Sequence, residues 1–127
     1  MTVVLDAWAI VELVAGTEAG RQVDELLDAD RPLMSWINLA EVFYGFRREQ
    51  GETEALAIVR DVREVVDVLL PAESAILGAA RIKSDHPLSF ADAFAAATAI
   101  AYDATLWTGD PELLVDGAPW AWRDLRP

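Results

Sequence analysis

The chain contains no cysteine, which removes disulfides and thiolate metal sites at once. Its single histidine, His86, excludes a histidine-built zinc site and a histidine acid-base pair. Any metal must therefore be held by oxygen. Positive charge is also scarce: 10 Lys and Arg stand against 22 Asp and Glu, a formal charge of −12. Nucleic-acid binders are usually basic, so this balance argues against tight non-specific binding to DNA or RNA. It leaves room for divalent ions that bridge acids to phosphates, and it attracts a basic partner. No long hydrophobic run exists either. The longest mostly apolar stretch, Ala93 to Tyr102, is far below the ~20 residues that span a bilayer, and no basic leader precedes Asp6. These absences predict a soluble, cytoplasmic chain.

The length of 127 residues predicts one domain, 1–127, able to bury its own core. Apolar residues make up 54%, a surplus that predicts a very full core or an apolar face covered by a partner. Short apolar runs alternate with helical patterns. Strands are expected at Val3 to Leu5, Leu33 to Trp36, Val65 to Leu70, Thr105 to Thr108 and Trp120 to Trp122. Helices are expected over Ala7 to Val14, Thr17 to Leu27, from Asn38 as cap to Gly51, Glu52 to Arg63 and Pro71 to Lys83. Another runs from Ser89 as cap to Tyr102, with one helical turn over Pro111 to Leu114. The alanines between Asp92 and Tyr102 favour a helix thin enough to lie close against a core. This order predicts an α/β fold, a three-layer α/β/α sandwich around a mainly parallel sheet.

Asp6, Glu41, Asp92 and Asp110 are each expected at a strand's carboxyl end or in the first turn of the following helix. In a parallel sheet those ends share one edge, so four carboxylates from distant parts of the chain converge. That is the outline of a magnesium or manganese site, since these ions prefer oxygen ligands and need few carboxylates. Each acid alone has an ordinary structural explanation. Asp6 can cap a helix, Asp110 precedes Pro111 in a turn, and Glu41 and Asp92 can close capping boxes begun by Asn38 and Ser89. Four acids on one edge are harder to explain, because their repulsion is costly without a cation.

The segments VVLDA around Asp6, NLAEVFYG around Glu41, LSFADAFAAATA around Asp92 and TGDPEL around Asp110 together resemble PIN-domain ribonucleases of the VapC toxin type, from bacterial toxin-antitoxin pairs. The resemblance spans nearly the whole chain. It implies a PIN-like domain and a magnesium- or manganese-dependent endoribonuclease, usually a homodimer. It also implies a small antitoxin whose carboxyl-terminal segment crosses the toxin's groove, with DNA met only through that antitoxin. Asp6, Glu41, Asp92 and Asp110 match the family's acidic positions one by one. The pattern departs from the family at Trp8, where a small hydroxyl residue is common, so a polar contact near Asp6 is expected to be missing. Trp8 reads as a core residue or, as an alternative, as a platform for a base.

The expected reaction is hydrolysis of an RNA phosphodiester, with Asp6 and Asp92 as direct metal ligands and Glu41 and Asp110 completing the shell. Glu41, Gly45 and Arg48 fall on one helical stripe, which predicts Arg48 beside the metal site on a substrate phosphate. Three alternatives remain. A catalytically silent binding module of the same fold is one. A receiver-type or a haloacid-dehalogenase-type phosphoryl-transfer domain would want, respectively, a strand-end lysine or a second aspartate two residues after the first. Lys83 falls on a predicted helix and Trp8 occupies the second place.

Overall fold

A computed structural model describes all residues, Met1–Pro127. Five strands form one sheet: β1 (Val3–Leu5), β2 (Leu33–Ser35), β3 (Asp67–Leu69), β4 (Thr105–Thr108) and β5 (Ala121–Asp124). Their order is β3-β2-β1-β4-β5, and every neighbouring pair is parallel. Six helices lie between them, two in each of the first three connections: α1 (Ala7–Ala15), α2 (Glu18–Ala29), α3 (Trp36–Gln50), α4 (Glu52–Val65), α5 (Glu73–Asp85) and α6 (Phe90–Ala101). The expected three-layer α/β/α sandwich is what forms.

Each face of the sheet carries its own core, because successive strand residues point to opposite sides. Val3 and Leu5 of β1, with Trp107 of β4, pack among Ile10, Val23, Leu39 and Val62 from α1 to α4. Val4 and Leu106 point the other way, onto Ala79 and Ile82 of α5 and the alanines of α6. Eight consecutive residues of α6, Asp92 to Ala99, are buried. Small side chains on every side let the helix press between the sheet and α5, as the alanine run predicted.

Several boundaries differ from expectation. The third helix begins at Trp36, and its cap is Ser35, whose hydroxyl accepts from the Ile37 amide at 3.2 Å. Asn38 therefore lies inside α3, and Glu41 sits in the second turn rather than in a capping box. The strand at Leu33 ends one residue sooner than predicted for the same reason: Ser35 satisfies the helix's free amides best from the strand's last position. Val65 closes α4 instead of opening β3. Pro111 to Leu114 is a turn closed by the Leu113 amide on the Asp110 carbonyl, not a helical turn. The last strand starts at Ala121, one residue after prediction, and lies at the sheet edge as expected.

The strand order reverses direction between β1 and β4. In open parallel sheets the crevice outside the carboxyl ends at such a point is where ligands bind. Asp6 directly follows β1, and Asp110 lies two residues beyond β4.

Candidate active site

Asp6 is 2% exposed and caps α1, its Oδ1 accepting from the Ala9 amide at 2.9 Å. The parallel register pairs Leu5 with Trp107, so one step further along both strands Asp6 meets Thr108. The Thr108 hydroxyl donates to Asp6 Oδ2. That same hydroxyl accepts from the Asp110 amide at 2.9 Å. The polar contact near Asp6 that Trp8 was expected to cost is thus supplied from the opposite strand.

Asp92 lies in the first turn of α6, whose cap is Ser89 as predicted: its hydroxyl accepts from the Asp92 amide at 3.1 Å. Glu41 reaches the same place from α3. Its Oε1 accepts from Nδ2 of Asn38 at 3.0 Å, and the same Nδ2 donates to the carbonyl of Ala91 at 2.9 Å. Asn38 is wholly buried, and its Oδ1 has no partner. Asp110 is braced by its own turn, its Oδ1 accepting from the Glu112 amide at 3.0 Å.

The electrostatics record the crowding. Burial pushes Asp6 from 3.8 up to about 7, the charges of Asp110 and Glu41 add to the rise, and the Thr108 and Ala9 hydrogen bonds oppose it. Burial likewise raises Asp92 from 3.8 to about 7, followed by the negative charge of Asp110 and a hydrogen bond to it, with Glu41 adding and Ser89 opposing. Glu41 is raised by burial and by Asp110, against the Asn38 hydrogen bond. Asp110 acts on all three, so the four acids predicted from sequence share one field.

A fifth acid was not anticipated. Carboxylate oxygens of Asp92, Asp110 and Glu112 lie within 4.8 Å of one another, a spacing that suits shared coordination of one ion. The signal was present in TGDPEL, where the turn that lifts Asp110 also returns Glu112 to it. An all-oxygen, histidine-free donor set whose members resist ionising together fits a hard divalent cation.

The acids open onto a groove of about 330 Å³ walled by Trp8, Tyr44 and Gly45 and bordered by Glu49. No cation lines it. Arg48, expected on the groove stripe, instead stands over the ring of Tyr44 at 5.1 Å from its centroid. The α3 residues that face the groove are Glu41, Gly45 and Glu49; two four-residue steps drift round the helix by about 80°, so the groove runs obliquely across α3 and away from Arg48. Trp8 is a partly buried core residue at the groove wall. Its indole occupies the space where a Cβ of Gly109 would stand, so the glycine before Asp110 is required by packing.

The family model of the PIN domain matches residues 3–115. VapBC-1 from nontypeable Haemophilus influenzae is similar in structure, with 26% identity, 98% of each chain covered and a TM-score of 0.76. DNA-bound VapBC from Salmonella typhimurium superposes with a TM-score of 0.80 at 20% identity over 99% of each chain. Mycobacterium tuberculosis VapC20, a sarcin-ricin loop cleaving toxin, does so with a TM-score of 0.72 at 19% identity, over 91% of this chain and 95% of its own. None of the curated proteins gives a match. The chain belongs to the PIN domain family, a family of nucleases. In structure it resembles the solved chains of VapBC toxin-antitoxin complexes, and the two phosphoryl-transfer alternatives fall away.

Proposed function

We propose that the chain is a divalent-metal-dependent endoribonuclease and the toxin of a toxin-antitoxin pair. The observation that carries this reading is the convergence of Asp6, Glu41, Asp92 and Asp110 at the β1/β4 switch point, with two of them pushed up to about 7 in the absence of a cation. Asp6 and Asp92 would hold magnesium or manganese, and Glu41, Asp110 and Glu112 would complete the shell or orient its waters. When bound, the ion neutralises charge on the phosphate and makes a water more acidic. The chain's own residues do the rest. Asp6 is held at both oxygens, so its carboxylate presents a fixed face to the groove. Glu41 and Asp110 would orient an attacking water and receive its proton.

An antitoxin partner is supported by neighbours solved as toxin-antitoxin complexes, among them the complex from Klebsiella pneumoniae, similar with a TM-score of 0.76 at 17% identity. The charge of −12 and the cation-free groove suit a partner that brings a basic side chain to the acids. DNA would be reached only through that partner. A homodimer and a cytoplasmic setting belong to the same reading, as does a single working domain over residues 1–127. No helix is long and apolar enough to cross a membrane. Arg48, stacked on the groove-lining Tyr44, is the candidate for a substrate phosphate.

The test is purified protein on total RNA, with manganese and with chelator. Discrete fragments in manganese and none in chelator are expected. Intact RNA in manganese, from protein whose melting temperature shows that manganese binds, would overturn the nuclease reading.

A further inference from the structure

Two of the most buried polar side chains in the molecule touch the acid cluster, and neither carries charge. Thr108 and Asn38 are both wholly buried. Thr108 lies between Asp6 and Asp110, accepting from the Asp110 amide at 2.9 Å and donating to Asp6 Oδ2. A hydroxyl has one proton, so while it accepts from Asp110 its own proton must point at Asp6. With Oδ1 taken by the Ala9 amide, both Asp6 oxygens then have a fixed donor, and the rotation of the carboxylate is set. Asn38 does the equivalent for the other pair. The two hydrogens of its Nδ2 go to Glu41 Oε1 and to the carbonyl of Ala91, the residue before Asp92.

The orphaned carbonyl of Asn38 shows that this arrangement is not made for stability alone. Leaving a buried Oδ1 unpaired costs free energy, and an apolar residue of similar size would avoid that cost. Four converging carboxylates repel one another and tend to splay until a cation arrives. A cationic clasp would restrain them but would compete for the same oxygens. Neutral donors restrain them without that competition.

We propose that Thr108 and Asn38 are positioning residues of the acid cluster, Thr108 fixing Asp6 against Asp110 and Asn38 fixing Glu41 against the start of α6, so that the site is preformed for a divalent ion. This rests on the metal-site reading above. Groups that orient ligands in this way matter to affinity as well as to turnover.

Manganese affinity, measured by electron paramagnetic resonance of the free ion with no RNA present, tests it. Thr108→Val and Asn38→Leu are each expected to weaken binding about tenfold or more, while Thr108→Ser, which keeps the hydroxyl, stays within about threefold of the parent. Asn38→Leu removes one orphaned acceptor but leaves Glu41 Oε1 and the Ala91 carbonyl without their donor, so it is expected to stay folded and to melt without metal somewhat below the parent. If Thr108→Val does not fold, Asn38→Leu carries the test alone. Folded Asn38→Leu and Thr108→Val proteins that bind manganese as the parent does would overturn the proposal while leaving the metal site intact. A parent that binds no manganese would overturn the metal reading and this inference with it.

Discussion

No side chain can grow at Gly109 without meeting the indole of Trp8, which lies against the backbone between Thr108 and Asp110. The turn that carries Asp110 is therefore clamped from below by packing and tied, through the Thr108 hydroxyl at the end of β4, to Asp6 at the end of β1. Gly109→Ala should destabilise the protein by about 1 to 3 kcal/mol through overpacking. Adding Trp8→Leu should recover much of that loss, a coupling readable from a double-mutant cycle in urea. Strictly additive effects would show that the two residues do not press on each other in solution.

The raised acids predict an unusual pH dependence. Asp6 and Asp92 rise from 3.8 to about 7, so between those values the folded chain holds protons that the unfolded chain has released. For these two groups, metal-free stability is greatest at low pH, falls as pH rises toward 7, and is level above it. Manganese needs the ionised carboxylates, so its stabilising effect should be larger near about pH 8 than near about pH 5.5. Melting curves in chelator and in manganese at both pH values check the sign. An equal manganese shift at the two would contradict the assignment.

Asp92 separates cap from ligand. Ser89 already caps α6, so Asp92→Asn removes charge from the cluster without removing the cap. The metal-free variant should be at least as stable as the parent, while manganese stabilisation and RNA cleavage fall sharply. Asp61, exposed and 3.6 Å from Arg60, is the control, and Asp61→Asn should change neither quantity. An Asp92→Asn protein that is clearly less stable without metal yet cleaves RNA at the parent rate would sink the catalytic role.

Gly45 sits in mid-α3 with open space where its Cβ would be. Alanine there should stabilise the helix by roughly 0.5 to 1 kcal/mol. It also narrows the groove between Glu41 and Glu49. The expected pair of results is a higher melting temperature with a raised KM for RNA and an unchanged kcat. An unchanged KM would show that substrate does not approach α3 at this point.

The strands at Val3 and Thr105, the buried alanine helix, its Ser89 cap and the four acids were all legible in the sequence. Each is announced by a local signal: a β-branched run, a serine before a helix former, an acid beside a turn. Even the common edge followed from one assumption, that the strands are parallel. What tertiary structure alone decided is finer and concerns the supports of the site. Asn38 looked like a cap because asparagine caps well, but Ser35 ended the strand first and drew Asn38 into the helix, where its amide clasps Glu41. Thr108 looked like the last residue of a strand, and only the register between β1 and β4 put its hydroxyl on Asp6 across 102 residues. Arg48 lost the groove to Glu49 through the rotation of α3 about its axis, which packing against α4 and the sheet sets. Caps and periodicities are written over a few neighbouring residues, whereas register and helix rotation are settled only when distant segments pack, and those decide which side chain meets which acid.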